Sequence, residues 1–588
     1  MPVTPGRRMV SRVAVAALAL ALALALAPAL GGAAAPTALP GRNATDAGAP
    51  VTLAILVPMT VRQTATGLID SPTLAAYTAP LGLLTRQLDS VYDTPAVIGL
   101  DPMIVASIRV LGSAAPASSR AWLTRLQGAH NEIFALAYAD ADLASLARVS
   151  SLKLAQPIGF DFAINAGHFG KAVTASPTPT TSASPAPTAS PSPGSSTTPP
   201  PLPTSAAEVL DWAYTLKNIA WPADDTVLST DIGPLRDAGY QDVVLSSSNV
   251  TAAVSGAVDL GKVRGVVADA GITSLVRATT SAVGDNAQQS ALVRLNSALN
   301  GIAAVSPGRT VVATLDRQWP LGFFNLDALF ADLASQAGVT TVGLSTVIAG
   351  AHPSAKIVDE TNDAARLAQL HSVVDTVGRE AAFATAAVTP NLVLEPRRLK
   401  LLSLLAVSWL GGSSDWTSPV NTYLTDSLTL TSSVAIVKGS DLFVGAGQTN
   451  VPVTVSNALN VPVIVYVNVA STSSVLQIQK QNVALTIEPG SSNKAAIPVQ
   501  ALSNGKVVTT ITITSIDRVP LGSPEYVKVD LQPGWESVGT TVIVILLVLV
   551  FGGGIVRTFL KRRTARHKAV VRETVVEGVA EGAEAPGD

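Results

Sequence analysis

Six aspartates close predicted strands or lie just past them: Asp101, Asp140, Asp142, Asp224, Asp269 and Asp316, with Asp225 beside Asp224. Two carboxyl groups held at the right separation can act as acid and base on a glycosidic bond, or can hold a divalent cation. Trp221 and Trp319 lie beside two of these positions, and Tyr138 precedes Asp140 by two residues. Aromatic faces of this kind stack on sugar rings, so an envelope glycan is a chemically sensible ligand. The same aspartates have a purely architectural reading. Aspartate is a favoured first cap of a helix, and the residue after a strand is often that cap. In DADLASLAR (140–148), Asp140 or Asp142 would cap the helix that follows, and Asp269 would cap one starting near Ile272.

Other chemistry is poorly supplied. Glutamate, the usual acid or nucleophile of glycosidases, occurs between 51 and 350 only as Glu132 and Glu208, neither at a strand end. His130, His168, His352, His371 and His567 are scattered without metal-ligand spacing. There is no paired-Asp-plus-His motif of a deacetylase, no G-x-S-x-G elbow, no phosphate loop and no dinucleotide fingerprint. No metal and no cofactor is expected. Cysteine is absent, which excludes disulfides, thiol catalysis and a lipid anchor on cysteine. The net charge of −2 excludes a nucleic-acid binder.

The aspartates sit within a repeated beat of short apolar runs and amphipathic stretches. The runs are LAILVPM (53–59), PAVIGLD (95–101), EIFALAYAD (132–140), NIAWPAD (218–224), QDVVLSS (241–247), RGVVAD (264–269), RTVVATLD (309–316) and TTVGLS (340–345). Near-continuous Val, Ile, Leu and Ala mark strands covered on both faces. Helical patterns fall at 74–88, 121–126, 143–152, 233–239, 287–305 and 326–337. Alternation of the two predicts a mainly parallel sheet, and eight runs predict a (β/α) barrel-like domain over 51–355, with an open doubly wound sheet as the alternative. Active sites of barrels lie at the C-terminal ends of the strands, where the aspartates stand. Residues 174–205 interrupt the beat. Of those 32 residues 26 are Ser, Thr or Pro and none is charged, so the segment cannot bury a core and is expected to be disordered.

Beyond the barrel-like region, 356–425 reads as a helical connection, with Ala365, Leu367, Leu370, Val373 and Val374 at helical spacing and a second pattern over 392–410. From 430 to 532 the period becomes two. VPVIVYVNV (461–469) puts Val461, Val463, Val465, Val467 and Val469 on one face, and seven such runs predict an immunoglobulin-like β-sandwich.

Both ends of the chain speak of a membrane. Residues 1–35 carry Arg7, Arg8 and Arg12, an apolar run over 13–27 and small residues at 31–35, the pattern of an export signal. Residues 537–556 contain no charge and, at about 1.5 Å per residue, extend roughly 30 Å, enough to cross a bilayer as one helix. Arg557, Lys561, Arg562, Arg563, Arg566 and Lys568 follow, and Trp535 precedes. Basic residues stay inside, so a type I protein is expected, with a cytoplasmic tail over 557–588 and the bulk of the chain outside the cell membrane.

LLSLLAVSWLGGSSDW (401–416), TYLTDSLTLTSSVAIV (422–437), VPVTVSNALNVPVIVYV (451–467) and NGKVVTTITITSIDRVPLG (504–522), ending in a terminal span, resemble a family of actinobacterial membrane-anchored envelope proteins, many of them encoded beside the lipid II flippase. LDPMIV (100–105), ALAYADADLASLAR (135–148), IAWPAD (219–224) and VVADAGITSLV (266–276) resemble it too. Ala137-Tyr138 departs from the Pro-Tyr pair of the pattern. The resemblance implies a location in cell-wall assembly, an integral membrane partner such as the flippase, and no mechanism. The expected function is therefore a non-catalytic binding or scaffold component. The rival is a cell-wall polysaccharide hydrolase or deacetylase-like enzyme that uses the strand-end aspartates.

Overall fold

The computed structural model describes residues 49–170, 200–251, 256–317, 319, 326–360, 364–411, 415–445, 447–532 and 535–570. The export-signal reading (1–35), most of the Ser/Thr/Pro insert and the end of the tail lie outside the described residues.

Nine strands build the first half of the chain: β1 (Val51–Met59), β2 (Val97–Leu100), β3 (Ile133–Ala135), β4 (Ile219–Ala220), β5 (Asp242–Ser246), β6 (Gly256–Asp259), β7 (Arg264–Ala268), β8 (Thr310–Thr314) and β9 (Val339–Thr341). One sheet runs β3-β2-β1-β8, entirely parallel, with β9 sharing the β2 edge of β1 by pairing to its first three residues. The other runs β4-β5-β7-β6, where β6 is antiparallel to β7. Each apolar run of the sequence contains a strand, and β6 is the one the sequence pattern did not announce. The two sheets form half-barrels around a common apolar cluster. Ala54, Leu56, Val97, Phe134, Leu136, Ile219, Trp221, Val244, Val266, Ala268 and Val312 meet there. Their neighbours Leu53, Ile55, Val57, Val243, Leu245, Val267, Val311 and Ala313 belong instead to the cluster shared with the helices. Alternation by strand geometry is thus present in every run, hidden because both faces are apolar. Hydrogen bonds cross the seams between the sheets: Asp269 N–H donates to the Val312 carbonyl at 2.8 Å, and Leu216 N–H to the Ile133 carbonyl at 3.1 Å.

Two helices are shorter than their pattern. The 74–88 stretch divides into Ser71–Tyr77 and Leu83–Val91, with Pro80 and Gly82 in the break. Proline supplies no N–H and clashes with the preceding turn, so one helix cannot continue through it. The 143–152 stretch ends at Arg148, and Ser150 turns left-handed (φ 52°).

Three helices, Ala364–Ala384, Pro390–Leu404 and Thr417–Thr431, join the two halves of the chain. Leu370, Val373, Leu399, Leu402 and Tyr423 belong to the core of the first half. The corner between the first two helices contributes Phe383, Ala384, Ala386, Ala387 and Val393 to the core of the second. At their centre Arg397 donates to Glu380 (Nε to Oε1 2.9 Å), stacks over the Tyr423 ring at 3.9 Å and donates to the Tyr423 carbonyl at 3.0 Å. Glu380 is 1% exposed.

The second half adds β10 (Val434–Ile436), β11 (Leu442–Val444), β12 (Gln448–Asn457), β13 (Val463–Ser471), β14 (Leu476–Ile478), β15 (Val483–Ile487), β16 (Ser491–Ala501), β17 (Gly505–Thr514) and β18 (Pro520–Leu531). They form two sheets, β10-β12-β16-β14 and β11-β18-β17-β13-β15, around one valine-rich core. The five alternating valines 461–469 are all buried in it. Asn457, buried at the end of β12, donates to the Val461 carbonyl and accepts from Leu459 N–H. The corner of the helical region pairs onto β13: Val388 N–H donates to Pro462, and Ile464 N–H to Ala386. A last helix, Trp535–Val570, contains a candidate membrane span, Gly539–Arg562, of 24 residues, whose most apolar 18 residues have a mean hydropathy of 2.5 and are not buried. At 1.5 Å per residue this is about 36 Å, sufficient to cross a bilayer.

The Glu380–Arg397 pair couples the two cores through one buried charge pair. Replacing Glu380 by Ala should destabilise the full chain in detergent by about 3–5 kcal/mol, because Arg397 loses its carboxylate in a dry site. Urea unfolding measures this, and the double variant Glu380→Ala/Arg397→Ala should cost less than the two single changes added.

Candidate functional site

Because the strands of each sheet are parallel, their C-terminal ends gather on one side, and the loops leaving β2, β3, β4, β7 and β8 meet there. Three of the aspartates in these loops are helix caps. Asp101 caps Pro102–Arg109, accepting from Met103 N–H at 2.9 Å. Asp142 caps Leu143–Arg148 through Ser145 N–H at 3.1 Å. Asp269 caps Ala270–Ser281 through Ile272 N–H at 3.0 Å, with Arg309 3.8 Å away.

The other three are held by two arginines. Arg317, just past β8, reaches Asp140 at 3.1 Å, lays its guanidinium over the Trp221 ring at 4.4 Å and donates to the Trp221 carbonyl. Its own carbonyl accepts from Thr60 Oγ1 at 2.6 Å, so it ties the loop after β1 to those after β3 and β4. Arg277, on the helix after β7, bridges Asp224 (2.8 Å) and Asp316 (2.9 Å) and anchors on the Thr314 carbonyl at 3.0 Å. Asp225 accepts from the Ser248 hydroxyl. The structure therefore brings Asp101 and Asp140 together on one side, and Asp224 and Asp316 on another.

Burial sets the electrostatics. Asp101 is 1% exposed, and desolvation pushes its pKa up to about 8, against the Met103 N–H bond that favours its charge; the nearby Asp140 charge pushes the same way as burial. Asp140 is also raised by burial, with Arg317 opposing. A second bond to Asp101, 2.8 Å from Ala139 N–H, comes from a turn in which both Ala139 (φ 56°) and Asp140 (φ 49°) are left-handed. Side chains with a Cβ adopt this conformation at a cost, which the surrounding contacts must offset.

The candidate stacking aromatics are packed rather than presented. Tyr138, Trp221 and Trp319 are buried. Tyr138 donates to the Gly67 carbonyl at 2.8 Å, Trp319 donates to the Pro58 carbonyl, and Trp221 lies under Arg317. The residues that sequence reasoning missed are Arg277 and Arg317. The only signal for Arg317 was its place directly after Asp316 at the end of a strand. Among the described residues no group of three or more His, Cys, Asp or Glu side chains is placed to hold a metal ion.

A cleft of about 490 Å³ opens elsewhere, between the loop after β1 and the helices Pro390–Leu404 and Thr417–Thr431. Gln63, Thr64, Lys400, Ser403, Trp409 and Thr422 are among its lining. Many of these polar groups already have partners: Thr64 N–H donates to Ser403 Oγ at 2.9 Å, Ser408 Oγ to Gln63 at 3.0 Å, and Lys400 pairs with Asp426.

Residues 41–567 match a family of unknown function, DUF6049, and the chain belongs to that family. No curated protein sequence matches the chain. Among solved structures, α2-macroglobulin of Escherichia coli is similar at 20% identity over 17% of this chain and 7% of that one, with a TM-score of 0.15. The α-amylase AmyC of Thermotoga maritima is similar at 9% identity over 65% of this chain and 93% of that one, with a TM-score of 0.41. The PapD-like domain of human CEP192 matches at 9% identity over 18% of this chain and 86% of that one, with a TM-score of 0.14. The matched segment thus spans less than a tenth of the α2-macroglobulin chain.

Two outcomes follow from the buried carboxyls. Asp101 carries a folded pKa near 8 against roughly 3.9 unfolded, so between those values the folded state holds the extra proton and stability falls as pH rises, by at most about 1.4 kcal/mol per pH unit. Asparagine caps helices as well as aspartate does. Asp101→Asn should flatten the decline in thermal midpoint between pH 5 and pH 8 seen in the parent chain. Arg317→Met should destabilise by about 3–5 kcal/mol through the stranded Asp140, with a larger loss at pH 8 than at pH 5.

Proposed function

We propose that this member of the family is a non-catalytic binding or scaffold protein of the cell envelope, held in the cell membrane by one C-terminal helix. The reading extends to a barrel-like domain completed by the two half-barrels and an immunoglobulin-like sandwich that spaces it from the bilayer. The carrying observation is the occupation of the strand-end carboxylates. Asp101, Asp142 and Asp269 cap helices, Asp140 is paired with Arg317, and Asp224 and Asp316 share Arg277. A glycosidase needs one protonated and one ionised carboxyl facing a sugar, whereas these groups face arginines and backbone N–H. The basic residues Arg557, Lys561 and Arg562 at the end of the apolar helix favour a cytoplasmic C-terminus, with the large domains outside. Together with the resemblance to actinobacterial envelope proteins encoded beside the lipid II flippase, this supports a role in peptidoglycan assembly, with an envelope glycan or that integral membrane protein as partner.

The rival, a wall hydrolase or deacetylase-like enzyme, draws on Asp101 and Asp140, two neighbouring buried carboxyls with raised pKa values, since such perturbation clusters at active sites.

The test is complementation of a deletion strain, read as muropeptide composition and co-purification of the flippase. Asp224→Asn/Asp316→Asn and Asp140→Asn chains that remain folded should restore both readouts fully, whereas a chain ending at Gln532, without its anchor, should restore neither. A folded Asp140→Asn chain that retains membrane attachment but loses the wall phenotype would favour the enzyme.

A further inference from the structure

The end of the valine-rich domain that leads into the apolar helix is built differently from its other end. β18 finishes at Leu531, paired with Gly505 at the start of β17 and with Val444 at the end of β11. The turn 502–504 before β17 therefore projects past Leu531, toward the segment that enters the helix. Leu502 N–H donates to the Val475 carbonyl at 2.8 Å, and Ala501 N–H to Gly447 at 3.0 Å, so the turn 472–475 and Gly447 border the same end. Two large apolar side chains are left in solvent there, Leu502 at 56% and Phe443 at 65% exposure. In the strand register Asp530 stands beside Phe443 and is paired to Lys506 at 3.9 Å, and Lys528 lies two residues further from the tip.

The tether decides what those side chains can reach. Three residues separate Leu531 from Trp535, where the helix starts, and the four residue steps span at most about 14 Å fully extended. Four further helical residues lead to Gly539, about 6 Å. The tip thus lies within about 20 Å of the first apolar turn, and headgroups fill several ångströms of that gap.

We propose that this end of the domain rests on the bilayer, with Leu502 and Phe443 seated among the lipid headgroups of the leaflet in which the helix begins. The contact gives the protein a second membrane attachment besides its helix and sets the tilt of the domains beyond. It rests on the reading of the last helix as a membrane anchor, and the experiment separates the two.

The chain contains no cysteine, so single labelling sites need no background removal. Leu502→Cys, Val542→Cys within the apolar helix, and Ser492→Cys near the start of β16, about 30 Å along that strand from Ala501, each receive an environment-sensitive fluorophore. The full-length protein is placed in nanodiscs of phosphatidylcholine and phosphatidylglycerol, with a fraction of lipid spin-labelled at the headgroup. Quenching at 502 well above that at 492 and close to that at 542, with a blue-shifted emission, is expected. If 502 behaves like 492 while 542 is quenched, the domain stands clear of the bilayer and the contact is overturned, although the anchor stands. If 542 is not quenched either, the anchor reading falls and the contact with it.

Discussion

An ionised carboxylate withdrawn from water must meet a cation or backbone N–H groups, because the desolvation penalty otherwise exceeds what packing returns. This constraint organises the protein. Asp140 meets Arg317, Glu380 meets Arg397, Asp231 meets Arg148, and Asp242 takes the Arg264 guanidinium through two bonds of 2.7 and 2.8 Å. Where no arginine is in contact, as at Asp101, backbone N–H groups fill the role and burial pushes the proton on. Each pair also joins segments distant in sequence: 140 to 317, 380 to 397, 148 to 231. The carboxylates at the strand ends fasten the loops there.

The same logic links the halves of the molecule. Glu380, Arg397 and Tyr423 come from three helices, and those helices share side chains with two otherwise separate cores. The corner 383–393 packs Phe383, Ala384, Ala386, Ala387 and Val393 into the valine-rich domain at the end opposite Leu502, since it pairs onto the start of β13. The chain therefore passes from the half-barrels through the helical corner into the valine-rich domain and on to the apolar helix. Each junction is packed or short, an arrangement suited to holding a partner-binding region at a defined distance from a membrane.

Several features were legible in the residues alone. An uncharged run from 537 to 556 has few uses but to cross a bilayer, because no partner is needed to state its length and polarity. The five valines of 461–469 recur at every second position, so the face they share was visible in the pattern. The eight apolar runs announced strands, since short Val- and Ile-rich stretches separated by helical patterns suit a sheet covered on both faces.

Tertiary structure decided the rest. In β1, Leu53, Ile55 and Val57 face helices while Ala54 and Leu56 face the other sheet, yet all five read alike as apolar. β6 escaped because Gly-Ala-Val-Asp is too short and mixed to show a period. An aspartate after a strand is equally a cap or an acid in the sequence, and the arginines that hold Asp140, Asp224 and Asp316 come from 39 to 177 residues away in the chain. Sequence determines what a residue can do over the few neighbours its own backbone brings near, in a helix turn, a strand or a membrane span. Which charges meet is set by the packing of elements far apart in the chain, and that is a property of the folded whole.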